Sequence, residues 1–381
     1  MSIATLAPSA PTAALTAAEV RLEFDGGRDF LSACTAGLPP RATRAAVIAD
    51  VEDASRGRIN PPAASAAVED ARASFSRLVG TSSTRIAIGS QASVFAGLVA
   101  SALPDNAEVL CAAGDFSSVV LPFVHAGRGI RVRVAPLAEL ASAITDTTHL
   151  VVFSVVQSAT GEVADAPAIR AAAAKSGALT LCDATQAIGW LPVRADDYDV
   201  VICHAYKWLC SPRGVAFASL SERIQPHLRP LFAGWYAGGD PWASCYGHDV
   251  TLADDASRFD VSPAWQAFTG AAPALALFAR ADMDDIHAHC TGLAAAFRAQ
   301  MGIAAPERPS AIVTWEDPDG ADLARLTAAG ITASGRAGRA RVAFHVFNDQ
   351  IDVSRTAATL ARQAPSAGVR TEADQRDNPL R

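Results

Sequence analysis

The chain has 381 residues, 50% of them hydrophobic and 19% charged, which suffices for a large core and excludes a disordered polypeptide. Its formal net charge is -7 and it contains no basic run, which argues against a nucleic-acid surface. No apolar stretch approaches the roughly 20 residues of a membrane helix, so no membrane partner is expected.

The first twenty residues are rich in Ala, Pro, Ser and Thr and lack the charged start of a secretion signal. Residues 1–29 therefore read as a loose arm. Residues 30–40 read as a short strand and a turn, and 42–79 as helix, broken at 58–62 because a proline pair cannot continue a helix. The run 85–89 is strand-like. It leads through Ser90, Gln91, Ala92 and Ser93 into an apolar helix ending at Leu103, and such a helix start offers free N–H groups to an anion. Strands follow at 107–113, 130–135 and 148–156. Phe116 comes just after the first of these, and Gln157 and Ser158 just after the last. A helix at 166–175 returns the chain to residues 178–219.

That segment holds three apolar runs, 178–182, 200–203 and 215–218, each bounded by turn residues and so expected as buried strands. The first ends on Asp183. The second leads into His204, Tyr206 and Lys207. Lys207 is one of only two lysines; the other, Lys175, sits at the polar end of a helix and reads as surface. A lysine can condense with an aldehyde, and a fixed carboxylate can keep a pyridine nitrogen protonated. Together Lys207 and Asp183 supply what pyridoxal 5'-phosphate (PLP) requires of a protein.

Beyond the strands, residues 228–249 are rich in Trp, Tyr and Gly and read as a loop at a substrate mouth or a dimer contact. Ser262 precedes a long helical region to Met301. His287 and His289 lie there at an i, i+2 spacing that puts them on different faces, so no metal site is expected. Strand, helix, strand and helix follow at 311–315, 321–330, 341–347 and 352–361. Seven scattered cysteines without CxxC spacing point to a reducing, cytoplasmic setting. Alternating strands and helices predict an α/β protein whose mostly parallel sheet is covered on both faces. The expected organisation is an arm (1–29), a large domain (30–260), a smaller α+β domain (261–362) and a polar tail (363–381).

The Asp183, Gln186 and Lys207 spacing resembles the class V aminotransferase family, over nearly the whole chain from about 30 to 360. The resemblance implies a PLP-dependent transferase of fold type I, a homodimer with its active site near the subunit interface, and an amino-acid substrate. It also implies roles for single residues. Ala92 and Ser93 would form the turn that grips the cofactor phosphate, helped by Tyr206. Phe116 would stack on the pyridine, as in kynureninases rather than desulfurases. Ser158, or Gln157 beside it, would meet the phenolic oxygen, with Gln186 and His204 on other cofactor oxygens. Ser262 would reach the partner subunit's phosphate. Arg341, seven residues before Asn348, would hold the substrate carboxylate, which a guanidinium pairs two-pronged.

The family reading leads to an aminotransferase-like enzyme. C–S or C–Se lysis, kynureninase-like hydrolysis and epimerisation remain alternatives. No cysteine lies between Cys290 and Arg341, which counts against persulfide-forming desulfurase chemistry. A catalytically silent binding protein on the same fold is disfavoured by the intact Asp183 and Lys207. A nucleotide-binding protein without PLP is disfavoured because neither GxGxxG nor a P-loop occurs.

Overall fold

The structure is a computed structural model and describes residues 13–361. In chain order its elements are α1 (Ala17–Arg21), α2 (Arg41–Ser55), α3 (Pro61–Leu78), β1 (Ile86–Gly89), α4 (Ala92–Ala102), β2 (Glu108–Ala112) and α5 (Ser117–Val124). Then come β3 (Arg131–Ala135), α6 (Leu140–Ala143), β4 (Thr148–Ser154), α7 (Ala166–Ser176), β5 (Leu179–Asp183), β6 (Val200–His204) and β7 (Ala216–Leu220). The last are α8 (Trp265–Phe278), α9 (Met283–Met301), β8 (Ile312–Glu316), α10 (Ala321–Ala328), β9 (Ser334–Arg336), β10 (Arg339–Ala343) and α11 (Gln350–Leu360).

β1 to β7 form one sheet in the order β1-β7-β6-β5-β4-β2-β3. β7 runs antiparallel to both its neighbours, and the other pairings are parallel. The strands read as continuous apolar runs because both faces are covered. Leu110, Val151, Phe153, Cys182 and Val201 face a layer that includes α3, α7 and α8. Their neighbours Val109, Leu150, Val152, Leu181 and Ile202 face a layer built on α4 and α5. The chain steps outward from β2 to β3, then crosses back to place β4 on the other side of β2. Such a reversal opens a crevice at the carboxyl ends of the strands. β1, β2, β4, β5 and β6 all end at that edge, so the segments following them converge.

β8, β10 and β9 form a second, antiparallel sheet. Its core contains Leu31, Phe297, Val313, Leu326, Val342, Phe344 and Val353. β1 to β7 thus fall within residues 86–220 and β8 to β10 within 312–343, with two exchanges between the units built on them. α8 packs on α2 and α3 beside the large sheet, while Phe30 and Ser32 bridge to Thr332 and Ala343 of the small unit.

Four local expectations change. Residues 13–29 are not a loose arm: Thr16 and Glu19 form a capping box on α1, Leu15 bridges to Ala281, and Val20 is fully buried. The start of the arm and the tail beyond residue 361 lie outside the described residues. The proline pair begins a helix instead of interrupting one, because Pro61 and Pro62 occupy the first turn of α3, where no N–H is needed, and Asn60 caps it. The helical region after Ser262 divides into α8 and α9, the latter capped by Asp282. The strand expected to reach residue 347 stops at Ala343, because Asn348 closes a turn by accepting from His345 N at 2.9 Å. No helix among the described residues is long and apolar enough to cross a membrane.

Candidate active site

β5 delivers Asp183 and β6 delivers the turn that carries Lys207. Each side chain is only 5% exposed. Asp183 Oδ1 accepts the Thr185 N–H at 2.9 Å. Burial raises the pKa of Asp183, opposed by the Thr185 bonds and by the positive charge of Lys207. Burial lowers Lys207 to about 8, opposed by the Asp183 carboxylate. The lysine turn is held from several sides. Trp208 Nε1 donates to Gln186 Oε1 at 2.9 Å, and the Trp208 carbonyl lies 3.0 Å from His345 Nε2. Two glycines allow the close approach. A Cβ on Gly37 would sit 2.1 Å from the Lys207 carbonyl oxygen, and one on Gly189 (φ 116°) 2.5 Å from the Trp208 carbonyl oxygen.

Around this pair opens a cleft of about 620 Å³ of empty space. Its walls are Gln91, Ala92 and Ser93 at the start of α4, Phe116 and Ser118 after β2, Ser154 and Ser158 around the end of β4, and Asp183, Thr185 and Gln186 after β5. His204, Tyr206, Lys207 and Arg213 complete it. Nine of the eleven residues expected from the sequence therefore meet there. Arg341 stands behind Ser158, 1% exposed; its guanidinium donates to Ser158 Oγ (3.2 Å) and O, to Thr35 Oγ1 (3.1 Å) and to Ser334 Oγ (3.1 Å). Burial lowers its pKa, and the charge of Arg336 lowers it further. Ser262 lies outside the cleft of its own chain: it is exposed, and Trp235 Nε1 donates to its Oγ at 3.1 Å.

The side chains differ in what they leave free. The Gln186 carboxamide is spent within the protein, donating to Cys34 O and Ser158 Oγ at 2.9 Å each while accepting from Trp208. Ser158 Oγ accepts from both Gln186 and Arg341, which leaves its own proton to point elsewhere. Gln157 does not line the cleft; its Nε2 donates to Ala113 O at 2.7 Å and Asp115 Oδ1 at 3.1 Å. His204 Nε2 is buried without a hydrogen-bond partner, and burial lowers the ring to about 4, so the imidazole is neutral. Gln91 caps α4 with no side-chain hydrogen bond, leaving N–H groups at the helix start. Phe116 is 49% exposed, and Lys207 Nζ lies 5.5 Å from its ring centroid.

Four neighbours were not singled out from the sequence. Thr185 bonds both Asp183 and, through Oγ1, the His204 N–H at 3.0 Å. Arg213 lies over the Tyr206 ring, 4.6 Å from its centroid. Thr35 meets Arg341. Asp115 accepts the Ser154 N–H at 2.7 Å and is raised to about 7, mainly by burial, with the Asp183 charge adding to it. The hydroxyl two residues after Asp183 and the carboxylate just before Phe116 were visible as residue types; their partners were not.

A model of the aminotransferase class-V family matches residues 33–314. The chain belongs to that family. It is thereby a PLP-dependent enzyme with the fold type I architecture. A kynureninase of Salinispora tropica is 28% identical over 348 residues, 77% of each chain. A probable cysteine desulfurase of Aeropyrum pernix is 33% identical over 240 residues, 55% of this chain and 58% of that one. Among solved structures, a C-DES variant with glycine covalently linked to PLP superposes with a TM-score of 0.79 at 18% identity, covering 89% of this chain and 98% of the other. The cleft of this class V chain fits the cofactor on its own terms: a buried amine and carboxylate, a free aromatic face, an orphaned imidazole nitrogen and an uncapped helix start share one space.

Proposed function

We propose that this cleft binds PLP through Lys207 and acts on an amino acid at its Cα, with transamination as the leading reaction. The observation that carries the reading is the buried Lys207, lowered to about 8, sharing a cleft with the buried Asp183. Bound there, PLP supplies an electron sink for charge developing at the substrate Cα.

The residues of the chain do the rest. Asp183, fixed by Thr185, holds a proton on the pyridine nitrogen. Phe116 covers one ring face. The N–H groups at Ala92 and Ser93, the Ser93 hydroxyl, Tyr206 and Arg213 take the phosphate at the helix start. Ser158 turns its free proton toward the phenolic oxygen. His204 donates from its orphaned nitrogen to a second cofactor oxygen. Gln186 acts one step back, by fixing Ser158 and Trp208. Lys207 would move the proton at the substrate Cα; a lowered pKa suits that work. Arg341 has no counter-charge among its bonded neighbours and takes the substrate carboxylate. Phe116 and the kynureninase relative favour a second reading, hydrolytic cleavage beside Cβ.

A homodimer with the cleft near its interface, and a cytoplasmic setting, belong to the same proposal. Ser262, exposed outside its own cleft, suits a reach toward the partner's phosphate. Leu231, Phe232 and Trp242 in the 228–249 loop are also exposed. Six of the seven free cysteines are buried, which suits a reducing compartment. Light scattering of the purified protein tests the dimer. An absorbance spectrum with a panel of amino acids tests the chemistry. A band near roughly 410–430 nm, absent in Lys207→Ala, is expected. A stable shift to shorter wavelength with a keto acid formed marks transamination, and release of alanine marks cleavage beside Cβ. No band after adding PLP overturns the reading.

A further inference from the structure

The small sheet turns one face toward the cleft. In its ladder Arg341 lies opposite Thr314 and Ser334, and Arg339 opposite Glu316 and Arg336. Residues directly opposite, and residues two apart along a strand, share a face. Arg341 Nε donates to Ser334 Oγ at 3.1 Å, and Thr314 Oγ1 donates to Thr160 O at 3.2 Å. This is therefore the face that meets the loop carrying Ser158. Arg336 and Arg339 stand on it too.

Two arginines directly opposite one another repel. Arg339 is neutralised, because its Nη1 pairs with Glu316. Arg336 is not. Its Nη1 donates to its neighbour's carbonyl, Gly335 O, at 2.7 Å. None of the ion pairs among the described residues includes Arg213, Arg336 or Arg341. Arg336 is exposed, beside the β9–β10 turn at Ala337 (φ 50°) and Gly338 (φ 72°). Its charge reaches the cleft all the same. After burial and the charge of Arg341, Arg336 further disfavours the protonated form of Lys207.

Against a net charge of -7, Arg213 on the cleft wall, Arg341 behind Ser158 and Arg336 on the sheet face of Arg341 make a local reversal of sign. The proposed function uses two of them. Arg213, over Tyr206 and lining the same cleft as the start of α4, suits the cofactor phosphate, and Arg341 suits the α-carboxylate. Arg336, on the sheet face of Arg341 and toward the hairpin tip, is left without an anion. We propose that Arg336 binds a second anionic group on the substrate, so that the enzyme acts on amino acids with an acidic side chain. This rests on the assignment of the α-carboxylate to Arg341. The amino acid would enter with its α-carboxylate on the buried guanidinium and its side-chain carboxylate toward the hairpin.

The test titrates the visible band of the PLP-loaded enzyme with L-aspartate and L-glutamate against their uncharged amides, L-asparagine and L-glutamine. Native protein, Arg336→Gln and Arg336→Lys are compared. Arg336 is exposed, so these variants fold. A charge-assisted contact predicts that native enzyme prefers acid over amide by roughly 10- to 100-fold. Arg336→Gln brings the ratio toward one, and Arg336→Lys retains part of it. Equal affinity for acid and amide, a preference that survives Arg336→Gln, or a band that no member of the panel shifts overturns the proposal. Failure to form the band at all removes the cofactor reading beneath it, so the two failures are distinguishable.

Discussion

Replacing Arg341 with methionine separates a binding residue from a scaffold residue. The guanidinium is 1% exposed and donates only to neutral acceptors on Ser158, Thr35 and Ser334. A buried ion without a counter-charge costs several kcal/mol, and hydrogen bonds from a charged donor return roughly 1.5–3 kcal/mol each. Methionine removes both the cost and the return while filling similar volume, so stability should change by no more than about 2 kcal/mol. Function should respond very differently. A substrate carboxylate held two-pronged makes two charge-assisted bonds, together about 3–6 kcal/mol, and losing them lowers kcat/KM by roughly 10²- to 10⁴-fold. If those bonds are equal in ground and transition states, the loss falls on KM. Arg341→Lys should recover little, because an ammonium cannot reproduce the fork. Denaturant melts and amino-acid titrations of the same preparations measure both quantities. A kcat/KM within threefold of native, or an unfolding loss above about 3 kcal/mol, would refute the reasoning and make Arg341 a structural strut.

Burial holds Lys207 at about 8 against an ordinary 10.5, so the unfolded chain binds more protons between those values. Stability of the cofactor-free protein should therefore rise as pH increases from about 8 to 10.5, by up to roughly 3 kcal/mol; a difference curve against Lys207→Met that is flat over that window refutes it. Gly37→Ala places a Cβ 2.1 Å from the Lys207 carbonyl and 2.8 Å from Cys210 Sγ, and should cost about 1–3 kcal/mol in a thermal melt and weaken the visible band. Gly234→Ala, with nothing within 4 Å and φ -125°, should stay within about 0.5 kcal/mol. Phe116→Ala removes the ring platform, and its PLP dissociation constant should rise roughly 3- to 10-fold in an absorbance titration; an unchanged constant removes Phe116 from the cofactor's contacts.

Much of this was legible in the chain itself. Apolar runs ending on Asp183 and His204 announced buried strands, because a parallel sheet covered on both faces needs apolar residues at every position. The scarcity of lysine made Lys207 conspicuous, its pairing with Asp183 indicated the chemistry, and the spacing of Asp183, Gln186 and Lys207 carried the resemblance to class V aminotransferases. Helix caps are equally local, but the proline pair and the long helical pattern concealed two of them: Asn60 and Asp282 start α3 and α9 where a break and a continuous helix were expected. Other features depended on distance in space. Asp115 reads as a loop carboxylate until β4 brings Ser154 N and Gln157 against it. Gln186 reads as a cofactor ligand until Trp208 and Cys34 consume its amide. Residues 1–29 read as a loose arm, until α9 and the core receive 13–29. The charge pattern of the small sheet, in which Arg339 pairs with Glu316 and Arg336 with no carboxylate among the described residues, arises only from pairing β8, β9 and β10. Strand periodicity and helix caps act over a few residues, and so the sequence alone determined them; desolvation, hydrogen-bond saturation and ion pairing depend on which distant segments meet, and only the tertiary structure decided those.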